Sequence, residues 1–244
     1  MRTQKPAVAR PGFVAFALVA YCLALTLGAT LPLAAQTPVL SEAFARMDKT
    51  AQQFKSVTAD MKRNVHTAVI NDDAMDMGTI KVKREKSHDT RMLIEFTGAD
   101  AKTVSVDGAS VSVYLPKSKL VQVYDFGAKR SLVDQFLLLG FGASSSEMRA
   151  DYEVTPISSE KIGPENTWHL QLIPKSPDVL RNLKKAELWI AETSGLPLQQ
   201  RFVTSSTGDF TLVTYSNVRF NPPLSDGALK LNYPKGVKVE HPRL

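Results

Sequence analysis

Gly78-Thr79-Ile80-Lys81-Val82-Lys83-Arg84 decides the class of fold, because its apolar and basic side chains alternate with a period of two. A strand with that period turns Ile80 and Val82 to one side and Lys81 and Lys83 to the other, as in an antiparallel sheet that buries one face and wets the other. Toward the C-terminus the same alternation returns in Met92/Ile94/Phe96, Val104/Val106, Val111/Val113/Leu115 and residues 120–124. Turn-forming Thr97-Gly98-Ala99-Asp100, Asp107-Gly108 and Pro116-Lys117 separate these runs, and Asp-Gly is the sharpest hairpin signal among them. Toward the N-terminus Val57, Ala59 and Met61 alternate in the same way. Before them Leu40, Phe44, Met47, Ala51 and Phe54 recur at helical spacing, which predicts an amphipathic helix with Ser41 as its N-cap.

Strands are further predicted over residues 152–156, 168–173, 186–191, 198–203 and 210–220, with turns at Gly163-Pro164, Ser194-Gly195 and Thr207-Gly208 and a short polar helix over 144–149. About eleven strands in one meander favour a single curved sheet or barrel, with its helices on the concave side. One segment breaks the pattern. Residues 131–141, Ser-Leu-Val-Asp-Gln-Phe-Leu-Leu-Leu-Gly-Phe, are apolar nearly all round behind a capping serine, and Gly127, Gly140 and Gly142 flank them. Such a helix is either ordinary core or a lid that covers an apolar cavity and swings away from it.

The N-terminus carries Arg2, Lys5 and Arg10, an apolar run from Phe13 to Leu27 and a small-residue stretch ending in Ala34-Ala35, the layout of a secretory leader. We read residues 1–35 as a signal peptide and 36–244 as one domain; an uncleaved membrane anchor is the alternative. Cys22, the sole cysteine, lies inside the apolar run, so the processed chain holds no thiol for disulfide, metal or nucleophile, which fits a bacterial periplasm. Loss of the three leader cations lowers the formal charge from +6 to +3, too mild to argue for nucleic acid.

Catalytic signals are poor. His66, His88, His169 and His241 lack ligand-spaced partners and read as surface residues, so no metal and no cofactor are expected. The glycines and serine of Gly140-Phe-Gly142-Ala-Ser144 stand at the wrong spacings for a nucleophile elbow or a dinucleotide loop. Asp72, Asp73 and Asp76 read as a solvated hairpin tip, and Trp168 and Trp189 as wall or edge packing, off the dominant face of their strands. No enzyme is indicated. Arg84, by contrast, shares a strand face with Ile80 and Val82, which aims a guanidinium along the apolar side of the sheet. It either holds the carbonyls of a movable helix or loop across a cavity, or sits at the rim in a surface ion pair.

In order, these motifs resemble the periplasmic outer-membrane lipoprotein carriers, the LolA family, over nearly the whole processed chain. The likeness lies in the early helix and strand from Phe44 to Met61, in Gly78-Thr-Ile-Lys-Val-Lys-Arg84, in Asp107-Gly-Ala-Ser-Val-Ser-Val-Tyr114 followed by Pro116, and in Trp189-Ile-Ala-Glu-Thr-Ser-Gly195-Leu-Pro197. It continues in Tyr215-Ser-Asn-Val-Arg-Phe-Asn221-Pro and Tyr233-Pro234-Lys-Gly236-Val-Lys-Val239. The resemblance implies a mainly β fold with some helix, an incomplete antiparallel barrel with a helical lid, and Arg84 as the latch that holds the lid in the ligand-free form. The family usually has proline after that arginine; here Glu85 follows, and pairing with it would weaken the latch.

The implied function is that of a monomeric chaperone taking the acyl chains of lipoproteins from an inner-membrane releasing complex to an outer-membrane receptor. Strand parity nominates Ile80, Val82, Met92, Ile94, Phe96, Val111 and Val113 as the lipid-binding wall, with Leu132, Phe136 and Leu139 from the lid. The competing reading is a lipid- or lipoprotein-binding sensor or membrane-anchored receptor of the same fold. An enzyme acting on lipids or glycans in the same concavity is a further alternative.

Overall fold

The computed structural model describes residues 36–86, 89–127, 139–204 and 207–242, and Pro38–Leu244 forms one compact unit. The chain enters through α1 (Gln36–Gln53) and then lays down β1 (Ser56–Thr67), β2 (Asp72–Lys86), β3 (Asp89–Thr97), β4 (Lys102–Asp107), β5 (Ser110–Leu115) and β6 (Leu120–Asp125). After α2 (Ser145–Asp151) come β7 (Tyr152–Ile162) and β8 (Glu165–Pro174), then the single turn α3 (Pro177–Leu180) and β9 (Lys185–Ala191). The last elements are β10 (Pro197–Val203), β11 (Phe210–Phe220), a 3-10 turn over Asp226–Leu229 and β12 (Lys238–Glu240).

All twelve strands belong to one sheet in the order β12-β6-β5-β4-β3-β2-β1-β11-β10-β9-β8-β7. Hairpin-connected strands lie beside one another because a two-residue or short loop reverses the chain at little entropic cost. A long-range junction joins β1 to β11, and Asn221 fixes it. Its backbone sits at φ 54°, its side-chain oxygen accepts from the amides of Lys55 at 2.8 Å and Ser56 at 3.1 Å, and its Nδ2 donates to Gln53 O at 2.7 Å. The edge strands β12 and β7 do not meet in this order, so the sheet is an incomplete barrel. The fold expected from the sequence therefore holds. β12, which pairs parallel with β6, is an addition to the strands expected from periodicity.

Apolar rows cross the strands in register. One runs Val57, Val82, Met92, Val106, Val111 and the next Ala59, Ile80, Ile94, Val104, Val113. The members on β1, β2 and β3 are buried in a cluster with Phe54, Phe141 and Tyr215. A second cluster joins Ala43, Phe44 and Met47 of α1 to Trp168, Leu170 and Leu172 of β8 and to Ala186, Leu188 and Ile190 of β9. α1 is tied to α2 as well, since Asp48 accepts from the Ser145 amide at 2.6 Å and from its hydroxyl at 2.8 Å. Ser144 and Glu147 close a reciprocal capping box over the same helix start.

Several expectations need correcting. α1 begins at Gln36, so Ser41 lies inside the helix rather than at its cap; the helix runs on through Pro38, which is tolerated in a first turn. Trp168 shares its face with Leu170 and Leu172 and is core. Residues 139–142 form turn and bend, not helix. Gly140 at φ 86° takes the left-handed conformation that glycine adopts without strain. Residues 131–138, the rest of the predicted lid helix, lie outside the described residues, as does the Glu85 side chain.

Candidate functional site

The site forms where the turn 139–142 lies on the inner face of the sheet. Gly142 sits at φ +69°, and a Cβ there would stand 2.5 Å from the Phe54 ring, so only glycine permits this approach. Phe141 is fully buried and meets Tyr215 edge-on, ring centroids 5.1 Å apart. The turn's carbonyls go to two donors from opposite halves of the sheet. Arg84 Nη1 donates to Gly142 O at 2.6 Å, while its Nε reaches buried Thr90 Oγ1 at 3.3 Å and its guanidinium lies 5.8 Å from the Phe54 ring centroid. Gln200 Nε2 donates to Leu139 O, and Gln200 Oε1 accepts from the Tyr215 hydroxyl at 2.7 Å.

Gln200 and Tyr215 are only 3% and 6% exposed, which makes them a polar pair in otherwise apolar surroundings. Burial pushes the Tyr215 phenol well above its ordinary pKa, so it stays a neutral donor. The strand register sets Gln200 opposite Leu188 on one side and Val213 on the other, and both are apolar. The Gln200 oxygen and nitrogen and the Tyr215 hydroxyl each have a partner, as buried polar groups require.

Ile80, Val82, Met92, Ile94 and Phe96 are buried side by side around Phe141. Val111 packs against them half-buried, and Val113 continues the row half-exposed. Leu139 is buried too, but against α1 and β8–β9 in the second cluster. Leu132 and Phe136 lie outside the described residues. Gln200 and Tyr215 were missed by sequence reasoning. A signal existed: in Leu198-Gln199-Gln200-Arg201-Phe202 an amide occupies the apolar parity, the mark of a buried polar group with a task.

At the far end of the inner face Phe96 lies between two cations, with Arg63 Cζ 4.8 Å and Lys102 Nζ 5.0 Å from its centroid. Asp76 binds both, pairing with Arg63 and standing 3.6 Å from Lys102. Asp76 is therefore an anchored counter-ion and not part of a solvated tip. The outer face of the second half carries another unforeseen cluster. His169 stacks on Trp189 at 4.1 Å and faces Glu160 at 3.0 Å and Glu187 at 3.8 Å, so it is not the surface residue expected. His169, Lys185 and Arg201 hold the Glu187 carboxyl down at about 2 against the opposing effect of burial.

No protein-family model matches the chain, and no curated protein does. Solved structures do. An uncharacterized conserved protein from Thermus thermophilus is 12% identical with a TM-score of 0.52, covering 83% of this chain and 99% of that one. MucB is 12% identical with a TM-score of 0.50, covering 79% of this chain; the present chain spans only 62% of MucB. The fold likeness rests on these two. The structural neighbours also include a LolA superfamily protein from Nitrosomonas europaea, at 12% identity and a TM-score of 0.40 over 78% of this chain and 97% of that chain.

Proposed function

We propose that the chain is a periplasmic carrier that shields the acyl chains of lipoproteins between an inner-membrane releasing complex and an outer-membrane receptor. The observation that carries the reading is the inner face. Apolar rows start as filled core on β1–β3, include buried Val106 on β4, and continue as part-buried Val104 on β4 and part-buried Val111 and Val113 on β5, beside a turn held by the side-chain hydrogen bonds of Arg84 and Gln200. Burying acyl methylenes there is worth about 0.8 kcal/mol each, so a diacylated anchor gains far more than the apolar wall alone. Ile80, Val82, Met92, Ile94, Phe96, Val111 and Val113 form that wall, whereas Leu139 packs in the other core cluster.

Arg84 is the latch. Its bond to Gly142 O is lost when the turn moves, so opening costs free energy and affinity stays moderate enough for release. Residues 1–35 act as the export signal, and the processed chain works without a cofactor and without catalysis. A second reading, a binding module for a partner protein, draws on the likeness to MucB, which has been solved in complex with MucA(peri).

Native mass spectrometry with lipid extraction on the processed protein from a periplasmic fraction tests the proposal. About one acylated ligand per chain, lost in Val113→Lys, is the expected result. Recovery of an empty, membrane-bound chain with its leader intact would overturn the carrier and favour the anchored receptor.

A further inference from the structure

We infer that Gln200 and Arg84 together form a donor site for the ester carbonyls that join acyl chains to a glyceryl group. The inference rests on the carrier reading and adds the part of the ligand that the protein reads.

Gln200 is not free to turn its amide. Its Oε1 is occupied by the Tyr215 hydroxyl at 2.7 Å, so Nε2 is left aimed at the turn, where it meets Leu139 O. Arg84 is oriented in the same manner by Thr90 at 3.3 Å and the face of Phe54, and spends Nη1 on Gly142 O at 2.6 Å. Both donors are thus fixed before any ligand arrives and both bind neutral carbonyl oxygens of one short turn. Gly140 and Gly142, both at positive φ, give that turn its backbone conformation.

A ligand that displaces residues 139–142 strips both donors of their acceptors, and for Gln200, only 3% exposed and set among apolar side chains, an unpaired donor is costly. Hydrocarbon alone cannot repair the loss. A diacylglyceryl group can, because its ester carbonyls are neutral sp2 acceptors placed at the head of the very chains that fill the wall. The turn's carbonyls occupy the donors in the empty form and the ester carbonyls take them over in the loaded form. Gln200 suits this exchange better than a second cation would, since an amide donor does not demand a charged partner.

The source of the esters, lipoprotein or phospholipid, is separated by the probes. Displacement of a fluorescent fatty acid from the processed chain is measured with a synthetic diacyl lipopeptide, its dialkyl-ether counterpart of equal chain length, and a diacyl phospholipid with its own ether counterpart. The expected result is an ester preference of about tenfold, the value of one ordinary hydrogen bond, which falls toward unity in Gln200→Leu because the ether lipid no longer strands a buried donor and its affinity rises toward that of the ester. The family of lipids in which the preference is seen identifies the source. Equal binding of ester and ether forms by the wild-type protein overturns the inference and leaves the carrier standing. Failure of every lipid to displace the probe overturns the carrier reading itself. The wild-type comparison needs no variant, so a misfolded Gln200→Leu does not shield the inference.

Discussion

β9 and β5 are strands of similar length in the same sheet, yet β9 buries every residue from Ala186 to Ala191 whereas β5 buries none of Ser110 to Leu115. Propensity does not explain this, since Val, Tyr and Leu on β5 are as strand-prone as the Leu, Trp and Ile of β9. Cover does. β9 has α1 and β8 side chains packed on its inner face and the Trp189–His169 stack with the Glu187 ion pairs on its outer face. β5 has the C-terminal strap on one side, where Tyr233 meets Tyr114 at 5.9 Å, and only part-buried valines on the other. β9 therefore lies in a finished core, whereas β5, at the end of rows that are filled on β1–β3, keeps apolar surface in reserve. We expect stability to be lodged in the first and binding in the second.

The sharpest way to break that division is to cut into each half in turn. Leu188→Ala removes a fully buried side chain from the finished half and should cost about 3 kcal/mol in urea unfolding, with little collapse of the cavity because both faces are covered. A loss below about 1 kcal/mol would mean that this half is not the stabilising one. The outer face of the same half gives a pH test. Glu187 titrates at about 2 in the folded chain against 4.5 as its reference. Its contribution is then present above about pH 4.5 and is lost as pH falls toward 2, since the unfolded chain binds the proton first. Allowing for solvent screening, about 1–2 kcal/mol should disappear across that interval in the wild type and not in Glu187→Gln, as read by unfolding curves at each pH. Arg84→Leu acts on the boundary between the halves. It should load acyl ligand but hand it on about tenfold more slowly in a vesicle-to-acceptor transfer assay, because the force that recloses the turn is gone. Wild-type delivery by this variant removes the latch.

Much of this was legible because periodicity reports burial. Ile80, Val82, Met92, Ile94 and Phe96 read as one face from spacing alone, and register places them side by side. Arg84 followed from the same parity. What escaped were features that depend on which strands meet. Gln200 and Tyr215 lie in different strands and come together only because β10 pairs with β11. His169 reads as surface until β8 and β9 align it on Trp189. Asp76 reads as solvated until β1 and β4 bring Arg63 and Lys102 to it. α1 outran its expected start because propensity is silent on which of several polar residues begins a helix.

The smallest expected effect on stability is also the most discriminating, and it falls on β5. Val113 continues the row Ala59, Ile80, Ile94, Val104 on the inner face but is only half-buried. Val113→Ala removes two methyl groups that already touch solvent in part, so unfolding should shift by less than about 0.5 kcal/mol, against the much larger cost at Leu188. If the row continues into the acyl-binding wall, the same two methyls are wholly covered once a chain lies on them. The lost burial then weakens binding of a diacyl lipopeptide by about 1 kcal/mol, some fivefold. A variant that loses stability but not affinity would mean that β5 belongs to the core after all. Loss of affinity with stability intact keeps the two halves apart, one to hold the fold and one to hold the ligand.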